Sequence, residues 1–174
     1  GGPARLAGGG GAGARPHAKL ATLVSAYSIL QVVITARYSV NDLKADLQTM
    51  YRKAGLKGEG ISFIFTDQQI ADERFLVFMN DLLSSGNIPG LFPTEDMDDI
   101  INNMRPAVKR AGLPDTRDNC WDAFVNAVRD NLHVILCFSP IGDPIKIRTR
   151  RFPALVNCVT IDWFQPWPEK ALAS

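Results

Sequence analysis

Neither sign of charge predominates in this chain: 19 lysines and arginines stand against 18 aspartates and glutamates over 174 residues. So even a balance provides no whole-molecule field for gathering nucleic acid or an anionic membrane, and any charged partner has to be met by a local patch. Cysteine is scarce and odd in number. Cys120, Cys137 and Cys158 lie far apart within apolar segments, which predicts buried thiols in a reducing compartment. No CxxC pair and no histidine-rich spacing points to a metal. No apolar run approaches the roughly 18 residues of a membrane span, and the Gly/Ala/Arg-rich start lacks the continuous apolar core of a signal peptide. These absences predict an intracellular, soluble protein with neither nucleic acid nor membrane as partner. An initiating methionine is also lacking, and residues 168–174 read as the first turns of an unfinished helix, so a piece of a longer chain is expected.

What is present is a 46% hydrophobic content, ample for one buried core, and residues 1–174 are expected to form a single domain. Short apolar runs alternate with longer amphipathic segments, the pattern of parallel strands joined by helices. Ala4 to Ala7 makes a weak first strand. Gly8 to Gly13 holds five glycines in six positions, a loop suited to close approach of a ligand or another backbone. Pro16 is placed as a first helical position, opening a helix through Ser28. Ile29 to Ile34, β-branched and nearly continuous, predicts a strand buried on both faces. Ser39 and Asp42 form a capping-box-like start to a helix whose Leu43, Leu47, Met50, Tyr51 and Ala54 share one face, with Gly55 as its stop.

Ile61 to Thr66 is the expected third strand, followed by a helical stripe of Phe75, Phe78, Met79 and Leu82 that ends in the turn-rich segment Ser84 to Pro93. Met97, Ile100, Ile101, Met104 and Val108 mark another helix, which Pro106 is expected to kink or split. Trp121, Phe124, Val125, Val128 and Leu132 mark the next. His133 to Phe138 is the fourth strand, and Val156 to Ile161 the fifth, after a short helical turn at Pro153 to Leu155.

A glycine-rich loop between a first strand and a first helix is where backbone N–H groups and a helix N-terminus cradle phosphates. The pattern G-x-x-x-x-G-K-[ST] is met at Gly8 and Gly13, with Gly10, Gly11 and Ala12 between, but its lysine position is Ala14 and its hydroxyl position Arg15. A loop of this composition thus supplies backbone donors without the cation for terminal phosphates or the hydroxyl for Mg²⁺; the alternative is a merely low-complexity loop. The third strand runs into Asp67, the placement of a carboxylate that reaches Mg²⁺ through water. The next residue is Gln68, whose amide cannot take a proton as a water-activating glutamate does. Glu73 lies too far along the chain for a simple substitute.

Ser139, after the fourth strand, suits a phosphate-sensing hydroxyl, or simple turn chemistry before Pro140. Lys146 to Arg151 concentrates four cations in six residues: either a solvated edge or, with Arg151 favoured over Arg150, a guanidinium offered to phosphates on a neighbouring module. His17 and His133 have structural readings. The aromatic cluster Trp163, Phe164 and Trp167 is expected to pack the domain edge or a following lid. Glu95, Asp96, Asp98 and Asp99 suit a helix first turn.

Several stretches carry a family resemblance that runs essentially end to end. Gly1 to Ala21 reads GGPARLAGGGGAGARPHAKLA beside a family loop close to GGxALLVGxGGSGRQSLxRLA. Phe65-Thr66-Asp67, Gln69-Ile70, Glu73 to Leu76 and Ser84 to Phe92 match further motifs. The most specific are Cys137 to Asp143, Arg150 to Asn157 and Ile161 to Phe164. The sequence resembles the fourth AAA+ module of dynein heavy chains, axonemal ones above all. That resemblance implies the large α/β subdomain of a P-loop NTPase: a five-stranded parallel sheet of order 5-1-4-3-2 flanked by helices, with the helical lid absent. It further implies a regulatory module binding ATP or ADP, with or without Mg²⁺, at Gly8, Gly10, Gly11, Ala12, Gly13, Ala14, Arg15, Asp67 and Ser139, with hydrolysis weakened by Gln68.

Implied partners are adjacent AAA+ modules and, through the full-length protein, intermediate chains, light chains and microtubules. The implied location is cytoplasm and cytoskeleton, in a ciliary or flagellar axoneme. Ala14, Arg15 and Pro16 depart from the family's basic residue, polar neighbour and helix-opening serine. They leave open a structural ring spacer that binds no nucleotide. A free-standing small P-loop kinase or ATPase is the third alternative, opposed by Ala14 and Gln68.

Overall fold

The computed structural model describes residues 4–8, 28–31, 37–66, 70, 72–138 and 143–163, leaving aside the side chains of 4–8, 28–31, 143–145, 162 and 163. In chain order the elements are β1 (Ala4–Gly8), β2 (Ser28–Gln31), α1 (Val40–Leu56), β3 (Ile61–Thr66), α2 (Arg74–Ser84), α3 (Thr94–Arg110), α4 (Arg117–Asn131), β4 (Leu132–Phe138), α5 (Asp143–Arg151), α6 (Ala154–Asn157) and β5 (Val159–Trp163). The strands form one sheet in the order β2-β3-β4-β1-β5, and every neighbouring pair runs parallel. Parallel strands need crossover connections and coverage on their faces, so they read as apolar runs. β3 is buried at all six positions, Ser62 and Thr66 included.

Alternation along the strands sorts their side chains onto two faces. Ile61, Phe63 and Phe65 of β3 join Leu132, Val134, Leu136 and Phe138 of β4 in the main core, with residues of α1, α2, α3, α4 and α6. Ile64 and Cys137 form a separate small cluster, with Ile135 packed against it. The stripe predicted on α1 is buried throughout: Leu43, Leu47, Met50, Tyr51 and Ala54. Its start is a true capping box, in which the Ser39 hydroxyl accepts from the Asp42 N–H and the Asp42 carboxylate accepts from the Ser39 N–H at 2.7 Å. The Ser39 N–H, and after it the Ser39 hydroxyl donating to the same carboxylate oxygen at 3.0 Å, hold the Asp42 carboxyl below the usual carboxylate range. A lowered folded-state value means that the stabilisation is present above the unfolded value of about 4 and is lost as pH falls through the folded one. Ser39→Ala is expected to cost about 1 kcal/mol and to weaken the acid dependence contributed by Asp42, both readable from thermal unfolding as a function of pH.

Five sequence expectations are corrected. Gly55 does not stop α1; the helix runs to Leu56, and the positive-φ residue that follows it is Gly58 at +65°. Gly55 is instead required for close packing, since a Cβ there would lie 2.3 Å from Cε2 of Phe124. Pro106 does not split its helix, which continues from Thr94 to Arg110. Pro106 and Asn102, whose carbonyl its missing N–H would have engaged, are both exposed, so water can satisfy the freed oxygen. Val156 and Asn157 belong to α6 and not to the fifth strand, which starts at Val159. Cys158 is exposed, whereas Cys120 and Cys137 are buried as expected. At the chain's start, Ser28 opens β2, so a helix cannot extend through it; the rest of that predicted helix lies outside the described residues.

Candidate functional site

All five strands point the same way, so their carboxyl ends share one edge of the sheet. There Gly8, the last residue of β1, lies opposite Phe138, the last of β4. On the other side of β4, Thr66 ends β3 opposite Cys137. Strand spacing puts the ends of β1 and β3 about 10 Å apart with β4 between them. The chain therefore brings the strand that leads into the glycine run and the strand that leads into Asp67 to one edge, separated only by the strand that leads into Ser139. In open α/β sheets the crevice outside the carboxyl ends, where successive connections leave in opposite directions, is where ligands bind. Here β1 connects across β4 and β3 to β2, while β4 connects across β1 to β5.

Of the residues predicted to form this site, Gly8 lies among the described backbone. Gly10, Gly11, Ala12, Gly13, Ala14, Arg15, Asp67, Gln68 and Ser139 fall outside the described residues, as do His17, Phe164 and Trp167. The donor set suits a phosphate in its backbone amides and a divalent cation in Asp67, but with Ala14 and Gln68 it offers neither the usual ammonium nor a proton-accepting carboxylate. His133 lies near the amino end of β4, away from this edge, and burial depresses its pKa. Burial thus favours the neutral form of this histidine. Among the described residues, no cluster of histidine, cysteine, aspartate and glutamate is arranged to hold a metal, and no helix is long and apolar enough to cross a membrane.

The basic run is a helix, α5, which sequence reasoning missed. Its signals were present: Asp143-Pro144 at the start and Arg148, Arg150 and Arg151 in the last turn, an arrangement that complements the helix dipole. Arg151 and Arg150 are both exposed at its end. The Arg151 guanidinium pairs with the carboxylate of Glu73, the N-cap residue of α2, and sits 5.9 Å from the centroid of the Phe152 ring. One turn on, the Ala154 N–H donates to Oδ1 of Asn80 on α2 at 3.2 Å, and Ala154 and Leu155 are buried beside it. Nothing in the sequence announced Glu73 as the partner of a residue 78 positions away. Of the acidic stretch expected in a first turn, Glu95 and Asp96 lie in the first turn of α3 and Asp98 and Asp99 beyond it; Asp96 and Asp99 pair with Arg52 of α1, and Asp98 with Arg117 of α4.

Comparison with known proteins settles what this scaffold is. The family model described as the P-loop containing dynein motor region D4 matches residues 1–174. This chain belongs to the dynein D4 family. Over 173 residues, 99% of the chain, it is 50% identical to the dynein alpha chain of the flagellar outer arm of Chlamydomonas reinhardtii and to dynein axonemal heavy chain 17 of Mus musculus. Over the same span it is 48% identical to the ciliary dynein beta chain of Tripneustes gratilla. The chain spans 4% of the length of each of these relatives. The D4 assignment agrees with an α/β chain whose sheet is parallel and whose glycine run follows the first strand.

Proposed function

We propose that this D4 chain is the large α/β subdomain of the fourth AAA+ module of an axonemal dynein heavy chain, and that it binds ATP or ADP as a regulatory module with little or no hydrolysis. One observation carries the reading: Gly8 and Thr66 end their strands at the same sheet edge, on either side of β4. The parallel pairing of β1 between β4 and β5 supports a P-loop arrangement of the sheet, with the helical lid supplied from elsewhere in a full-length protein. In this reading the backbone from Gly8 to Gly13 holds phosphates and Asp67 meets Mg²⁺ through water. Ser139 faces the terminal phosphate, Arg15 supplies part of the missing charge, and Gln68 accounts for the loss of turnover. Arg151, with Arg150 as second choice, serves the phosphates of the adjacent module.

The names of the relatives support an axonemal location in cilium or flagellum. Adjacent AAA+ modules are its direct partners; microtubules, intermediate chains and light chains are partners of the whole heavy chain. A second reading, a ring spacer that binds no nucleotide, is favoured by Ala14 and Pro16 in place of the family's basic residue and serine. Titration of a longer chain that includes the lid with a fluorescent ATP analogue and Mg²⁺ separates the two. Saturable binding without turnover is expected; no binding would establish the spacer and leave the fold intact.

A further inference from the structure

We propose that Glu73 is a positioning residue for Arg151, a carboxylate that holds the guanidinium within its own module until phosphates on the neighbouring module draw it away. The proposal rests on the reading of Arg151 as a group that acts on the adjacent site.

Its basis is a two-point attachment of the segment from α5 to α6 along α2. Asn80 and Glu73 stand two turns apart on that helix. At Asn80 the attachment is firm, because the Ala154 N–H is bonded to the amide oxygen and Ala154 and Leu155 are buried. At Glu73 it is exchangeable. The side chains of Arg151 and Glu73 are 58% and 55% exposed, and an ion pair so open to water contributes little and is readily replaced. A guanidinium binds carboxylate or phosphate with the same planar donor fork, so the two anions compete for one group. Phe152, half-buried between the two attachments, lies under the Arg151 guanidinium and keeps the arginine near the end of α5.

Glu73 also has a consequential place in the chain, seven residues after Thr66 leaves the sheet edge. When Arg151 is released, the start of α2 loses its ion pair to the end of α5. Occupancy of the neighbouring site is thereby reported to the start of this module's α2 through one exchangeable ion pair.

The test uses an intact dynein motor ring, with Glu73→Gln, Glu73→Asp, Arg151→Ala and the Glu73→Gln/Arg151→Ala double variant. The readouts are the neighbouring module's affinity for a fluorescent ATP analogue and its turnover, with thermal unfolding as the check on folding. Freeing Arg151 from an exposed pair is expected to tighten the neighbour's apparent affinity by about two- to fivefold. Glu73→Asp should restore the original value, and the double variant should behave as Arg151→Ala alone. If Arg151→Ala impairs the neighbour while Glu73→Gln leaves it unchanged or weakens it, the restraint is refuted and the arginine's role survives. If Arg151→Ala changes nothing, the arginine's role fails and the restraint falls with it.

Discussion

Phe124→Ala is expected to destabilise the 174-residue chain by about 3–5 kcal/mol, the usual cost of emptying a fully buried aromatic site. That corresponds to a fall in Tm of roughly 6–20 °C for a chain of this size. Phe124 is wholly buried, with its ring centroid 5.3 Å from that of Trp121, 6.1 Å from Phe92 and 6.3 Å from Tyr51. It joins α4 to α1 and to the turn after α2. Gly55 gives a sharper version of the same test. An added Cβ would lie 2.3 Å and 2.5 Å from two Phe124 ring carbons and 3.0 Å from Cγ2 of Val128. Gly55→Ala alone therefore sets an overpacking cost of about 1–3 kcal/mol against a helix-propensity gain of about 1 kcal/mol. In the Phe124→Ala background the collision with the ring disappears, and only the 3.0 Å approach to Cγ2 of Val128 is left to set against the gain. Unfolding of the two single variants and the double is expected to show this reversal of sign; simple additivity would refute the contact.

At the far end of the molecule the largest expected change is in function. On the proposed reading of Arg151, Arg151→Ala in a complete motor ring lowers the neighbouring module's turnover by about 10³-fold or more, the scale on which a guanidinium stabilises charge in phosphoryl transfer. Arg151→Lys should recover only a small part, since a lysine brings a point charge and no planar donor fork. Single-turnover measurements on the neighbouring module read this directly. The same loss from Arg150→Ala, with Arg151→Ala silent, would move the assignment one residue. The two arginines differ in contacts: the Arg151 guanidinium is paired with Glu73 at the start of α2, next to the chain leaving β3.

What the sequence made legible follows from local physics. The capping box at Ser39 and Asp42 needs only residues three apart, and the α1 stripe needs only helical periodicity; both are present. β3 was recognisable because burial on both faces leaves no polar alternation to blur it. The misreadings arose where a distant partner decides. Gly55 looked like a helix stop until Phe124, 69 positions later, explained why no side chain fits there. Pro106 looked like a break because exposure of the freed carbonyl cannot be read from one sequence. In α5, four cations within six residues obscured a helical start at Asp143-Pro144. Of the proposed phosphate-binding edge, the strand carriers are visible in β1, β3 and β4, while the candidate side chains lie beyond the described strand ends.

The position of β4 inside the sheet has a consequence for assembly. Among the described strands β1 pairs with β4 and β5 alone, and β4 begins at Leu132, so β1 has no described sheet partner until some 120 residues have followed it. At ordinary synthesis rates, β1 waits roughly 6–25 s beside the ribosome, while β2, β3 and their helices emerge first. A polypeptide interrupted before Leu132 would retain most helices of the core yet leave its first strand as an unpaired edge, open to pairing with another chain.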